Sequence, residues 1–106
     1  MFARKVSVRV KPDSSSQFLQ KMENEIIPIL RKQKGFLNEL TLISRSGKEF
    51  YAYTFWESAE DAEQYECTAS GEMASLMADL LDGPVRVNAY SVANSTFHKT
   101  AVAAAS

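Results

Sequence analysis

The side chains able to do chemistry in this chain are few, and most are aromatic. Phe50-Tyr51-Ala52-Tyr53-Thr54-Phe55-Trp56-Glu57-Ser58 contains the only tryptophan and two of the four tyrosines, and Tyr65 follows on the next predicted element. Indole and phenol groups offer flat apolar surface with a single polar tip, which suits an aromatic ligand. Trp56 and Tyr65 are therefore the candidates for the reacting site. Tyr51 or Tyr53 would line a mainly apolar pocket, the usual form of a small-molecule site, and Met22, Met73 and Met77 would supply adaptable walls. Arg9 and Asn88, on strands expected to be neighbours, could orient a phenolate. A second reading stays open for all of them: Trp56 and Tyr65 as core covering the sheet, Arg9 and Asn88 as plain surface.

Other chemistries lack their parts. His98 is the only histidine and Cys67 the only cysteine, which excludes an internal disulfide and an ordinary His/Cys zinc site. No metal and no other cofactor is expected. Cys67 has no neighbouring histidine to generate its thiolate, so nucleophilic triads fail as well. Gly35, Gly47, Gly71 and Gly83 punctuate helices and turns and form no phosphate-binding loop.

The elements that must position these residues can be read from periodicity. Val6-Ser7-Val8-Arg9-Val10-Lys11 alternates as a strand, and Pro12 stops it. Ser14-Ser15-Ser16-Gln17 has the form of a capping box. It opens a helix whose stripe runs through Phe18, Met22, Ile26 and Leu30. Pro28 removes one backbone bond and predicts a kink. Gly35 closes the helix. A second strand is expected over Phe36–Arg45, a turn at Ser46-Gly47-Lys48, and a third strand through the aromatic segment. That strand is apolar on both faces, with Phe50, Ala52, Thr54 and Trp56 on one and Tyr51, Tyr53 and Phe55 on the other. It is therefore expected to be central and covered on both sides. Ser58 caps the next helix, which breaks near Thr68-Ala69-Ser70-Gly71. A further helix carries Met73, Leu76, Met77, Leu80 and Leu81, and Val85–Val92 reads as the last strand.

The order β-α-β-β-α-β predicts an α+β, ferredoxin-like fold: a four-stranded antiparallel sheet with helices on one face. The uncovered face would expose Tyr51, Tyr53 and Phe55, so a homodimer packing sheet to sheet is expected. At 106 residues the chain suits one domain, assigned to 1–93, with a Ser/Thr/Ala-rich tail at 94–106. A net charge of −1 gives no reason to expect nucleic acid or an anionic membrane as partner. The basic pairs, Arg4-Lys5 among them, read as solvated strand edges and helix ends. Without a bilayer-length apolar run or a signal-peptide pattern, a cytoplasmic protein is expected.

Pro28-x-Leu30-Arg31-x-x-x-Gly35-Phe36, followed by Phe55-Trp56-Glu57-Ser58-x-Glu60-x-Ala62, resembles the antibiotic-biosynthesis-monooxygenase-like superfamily of dimeric α+β barrels over roughly residues 3–93. The resemblance implies a ligand cavity between sheet and helices. It makes Trp56 the tryptophan that cofactor-free members set beside an aromatic substrate. The asparagine of those enzymes is matched by Ala52, and their tyrosine and arginine by Ala62 and Leu76. Against haem-degrading members, the asparagine falls at Ser7, the tryptophan at Tyr65 and the ligating histidine at Ala74. The implied activity is cofactor-independent monooxygenation of a small quinol- or polyketide-like aromatic. The alternative is a non-catalytic dimeric module that binds a small ligand, and haem breakdown ranks third.

Overall fold

The computed structural model describes residues 1–96. Its strands are β1 (Phe2–Arg9), β2 (Phe36–Ile43), β3 (Glu49–Trp56) and β4 (Arg86–Ser91). Its α-helices are α1 (Ser15–Lys21), α2 (Ile27–Arg31), α3 (Ala59–Thr68) and α4 (Ser70–Met77). The sheet runs β2-β3-β1-β4 with all pairs antiparallel, so the aromatic β3 is central as its two-sided pattern requires. The fold is the ferredoxin-like α+β arrangement.

Parity along the strands decides which residues meet the helices, because successive side chains alternate faces. Val6 lies opposite Ala52 and Val87, Val8 opposite Phe50, and Arg4 opposite Thr54 and Ala89. These residues share the helix-covered face, where Phe50 and Trp56 are completely buried. Phe18 of α1 closes on Phe50 with ring centroids 4.5 Å apart. Leu30 and Ala62 complete the same core.

Several local expectations change. The first strand begins at Phe2, upstream of the alternating Val6–Lys11 run, because Phe2 to Lys5 pair in register with Trp56 to Tyr53. Arg4 is consequently buried, with 7% of its surface exposed, and is not a solvated edge residue. The capping box does not form. Ser14 sits at φ −106° and ψ 2°, outside the extended conformation a cap needs, and makes no side-chain bond. Ser15 Oγ instead donates to the Gly47 carbonyl at 3.2 Å and ties α1 to the β2–β3 turn. Pro28 occupies the first turn of α2, and the irregularity falls just upstream as a π-helical turn over Met22–Ile26. The proline ring crowds the carbonyl four residues back, at Asn24, and the wider turn accommodates it.

The last helix also stops short of the expected Leu80 and Leu81: α4 ends at Met77, Ala78–Leu80 is a 3-10 turn, and Leu81 is extended and bridged to Val10. Gly35 has the expected left-handed φ of +79°, but it lies in the turn before β2 and does not close the helix, which ends at Arg31 with Lys32 as its C-cap. A Cβ there would collide with the Asp61 side chain, so the turn into β2 and the start of α3 beside it require glycine on two counts. Ser58 is extended, and its Oγ accepts from Asp61 N at 3.2 Å. The helical break falls at Ala69, between α3 and α4.

Candidate functional site

A cavity of about 270 Å³ lies between the sheet and the helices. Its walls are mostly apolar: Val6 and Val8 from β1, Phe18, Met22, Ile26 and Leu30 from the first helical segment, and Met73 and Met77 from α4. The π-helical turn contributes Met22 and Ile26 as two buried wall residues. Toward β4 the cavity is bordered by Val85 and Val87, which are 44% and 45% exposed, so this side is its open flank.

The polar groups form one row across the sheet. Glu39 on β2, Thr54 on β3 and Arg4 on β1 are directly opposed in register, and all three line the cavity. At ~4.8 Å between neighbouring strands, the outer two backbones stand about 10 Å apart. Thr54 Oγ1 accepts from Trp56 Nε1 at 2.9 Å and lies 3.5 Å from the Arg4 carbonyl, to which it donates. Trp56 itself is wholly enclosed. It packs on Phe36 and on Tyr65, at centroid distances of 5.6 and 5.0 Å.

Tyr65 closes the far end of this network. Its hydroxyl donates to Met73 Sδ at 2.9 Å, and the Arg4 guanidinium carbon stands 5.4 Å from its ring centroid. Burial raises the Tyr65 pKa above its ordinary value, with Arg4 opposing and Glu66 adding to the shift. At neutral pH it is therefore a phenol that donates and not a base. A thioether is a weak acceptor, so this donor can be redirected to a better one. Burial also raises the Glu39 carboxyl pKa, opposed by the hydrogen bond from Thr41 Oγ1 at 2.5 Å.

A model of the antibiotic biosynthesis monooxygenase family matches residues 1–70 of the 106. The chain belongs to this family. No match to a curated protein is found. Among solved structures, the chain is similar to the ActVA-Orf6 monooxygenase of Streptomyces coelicolor in complex with nanaomycin D, at TM-score 0.77 and 20% identity over 92% of this chain and 91% of that one. It is similar to Rv0793 from Mycobacterium tuberculosis, at TM-score 0.72 and 17% identity over 90% and 97%. A conserved protein from Methanosarcina mazei Go1 gives TM-score 0.71 and 18% identity over 85% and 91%. Likenesses at this identity speak for the monooxygenase fold.

The structure brings part of the expected site of this family member together. Tyr65, Met22, Met73 and Met77 line the cavity. Trp56 stands behind the wall and reaches the cavity through Thr54. Tyr51, Tyr53, Arg9 and Asn88 do not line the cavity, because alternation turns them to the sheet's other face. Tyr53 lies opposite Lys5, Tyr51 opposite Ser7, Asn88 opposite Lys5, and Arg9 opposite Glu49 at the strand end. The same parity carries Arg4, Glu39 and Thr54, which the sequence reading passed over, to the cavity side. Extending the Val8–Val6 alternation one more step would have found Arg4. Glu39 gave no such signal, since the apolar residues beside it, Leu40 and Leu42, belong to the outer face. Ala52 and Ala74 also line the cavity, at the positions that the resemblance assigns to the asparagine and to the haem-ligating histidine. His98 lies outside the described residues.

Proposed function

We propose that this family member is a cofactor-independent monooxygenase whose substrate, a small aromatic of the quinol or anthrone type, occupies the cavity between sheet and helices. The observation that carries the reading is an apolar chamber with a short polar row on one wall, in a chain of the monooxygenase family. The nanaomycin complex of the similar Streptomyces coelicolor protein adds support for a polycyclic aromatic ligand. Such a substrate supplies its own electrons. Once deprotonated, an anthrone reduces dioxygen directly: one oxygen atom becomes the new ring carbonyl, and the other leaves as water with the two hydrogens lost from that carbon. The protein need only bind, exclude water and stabilise the anion. Tyr65 offers a hydrogen bond to a substrate oxygen. Trp56 fixes the Thr54 hydroxyl, and Met22, Met73 and Met77 shape the chamber.

The reading includes a cytoplasmic homodimer formed through the open sheet face. Proteins of this fold are commonly dimeric, and that face carries Leu40, Leu42 and Tyr90, all at least 40% exposed. Tyr51, Tyr53 and Phe55 are half-buried beside them, and such a patch normally marks an interface. No described helix is long and apolar enough to cross a membrane.

Ala52 supports a second reading, a ligand-binding module without turnover, because it lines the cavity where the resemblance calls for a polar asparagine. Haem breakdown is weaker still, since Ala74 offers no ligating atom. Oxygen uptake with a panel of quinols and anthrones separates the readings. Substrate-dependent uptake that falls in Tyr65→Phe is expected. No uptake with any of the panel, with the ligands still bound, would favour the module.

A further inference from the structure

Arg4 is a buried cation without an adequate counter-charge. It is 7% exposed, and its Nε is buried with no hydrogen-bond partner. Its ion-pair partner, Glu66, stands 3.8 Å away on a side chain that is 56% exposed, which makes a long and solvent-weakened contact. The guanidinium also lies over Tyr65, a contact that leaves its N–H groups free for hydrogen bonding. Burying a guanidinium donor unpaired is strongly unfavourable, and arginine is suited to a planar oxygen anion that accepts from its fork. Arg4 lines the cavity, so a ligand there can complete what the protein leaves open.

We propose that Arg4 is the anion-binding group of the cavity, and that the ligand is an apolar aromatic monoanion whose single carboxylate or phenolate oxygen group docks on the guanidinium. The inference rests on the reading of the cavity as the substrate site. The rest of the ligand must be apolar, since Met22, Met73, Met77 and Phe18 form the facing walls. One negative group is the limit. A second anion directed across the row toward β2 would meet the carboxyl of Glu39, which already accepts from Thr41. The resulting rule is charge at the β1 side and none at the β2 side.

Binding can be measured without turnover, from Trp56 fluorescence and calorimetry. The probes are naphthoate, methyl naphthoate, a naphthalene dicarboxylate with acids at opposite ends, para-nitrophenolate and para-nitroanisole. Naphthoate or nitrophenolate should bind more tightly than its neutral partner by about tenfold or more, and Arg4→Gln should abolish that preference while leaving the neutral ligands unchanged. Which of the two anions shows the effect separates carboxylate from phenolate as the natural group. The dicarboxylate should bind worse than naphthoate. Equal binding of anion and neutral partner in both pairs by the unaltered protein overturns the proposal without any variant, as does an Arg4→Gln protein that keeps the preference. Charge-selective binding without oxygen uptake would leave Arg4's role intact and remove the oxygenase reading. Oxygen uptake with no charge selectivity would do the reverse.

Discussion

The two faces of the sheet draw on the same central strand and put it to different uses. Phe50, Ala52, Thr54 and Trp56 of β3 face the helices, and the largest of them are fully enclosed. Tyr51, Tyr53 and Phe55 alternate to the outer face, where Leu42, Leu40 and Asn38 are their respective cross-strand neighbours on β2. The polar groups follow the same division. Under the helices, Trp56 Nε1 is held by Thr54 at a fixed 2.9 Å, and Arg4 and Glu39 border a cavity. On the outer face Lys5 lies over Tyr51 and Tyr53, at 5.1 and 5.8 Å from their ring centroids, and the Tyr51 hydroxyl bonds Glu49 at the rim. Inner aromatics sit beside a chamber, and outer ones form a half-buried patch on the open face, the surface proposed for a second copy. One residue of register would exchange the two roles.

Substitutions on the two faces should therefore fail in different ways. The largest effect is expected from Trp56→Ala, which empties a completely buried site and should cost ~3–5 kcal/mol in urea unfolding followed by circular dichroism. A loss below ~1 kcal/mol would mean that the inner face is not the folding core. Charges placed on the outer face, as Leu42→Glu with Tyr53→Glu, should convert the proposed dimer to a monomer in light scattering while the far-ultraviolet spectrum stays native. An unchanged mass would break the division of roles. Thr54→Val keeps the shape but leaves the indole N–H of Trp56 buried and unpaired, for an expected loss of ~1–3 kcal/mol.

The smaller effects sharpen the contrast. Glu39 has its pKa raised by burial, so its protonated form favours the folded state. That contribution is complete at pH values below the ordinary glutamate pKa and is lost as pH rises through the folded-state value. Glu39→Gln should flatten this slope and leave stability at neutral pH equal or slightly higher; a lower neutral-pH stability would contradict the assignment. Tyr51→Phe removes an exposed bond on the outer face and should change stability by no more than ~0.5 kcal/mol in the same unfolding assay.

Much of the frame was legible because it depends on short-range rules. Ser58 marks the start of α3 by local geometry, and the two-sided pattern of β3 put it at the sheet centre. The site was less legible because it depends on parity and register between distant strands. Tyr51 and Tyr53 have the composition of pocket residues and the parity of the open sheet face. Arg4 reads as a surface charge until β1 is seen to start at Phe2, opposite Trp56. Trp56 stands behind the cavity wall, and its contact with the cavity runs through Thr54, a pairing that its sequence neighbours do not advertise.

The most direct test is oxygen consumption with an anthrone by three proteins: unaltered, Ala52→Phe, which fills the chamber, and Leu42→Glu on the outer face. Uptake should vanish in Ala52→Phe with its circular dichroism intact, and should persist per protomer in Leu42→Glu. Uptake that survives the filled chamber would contradict the assignment of chemistry to the covered face.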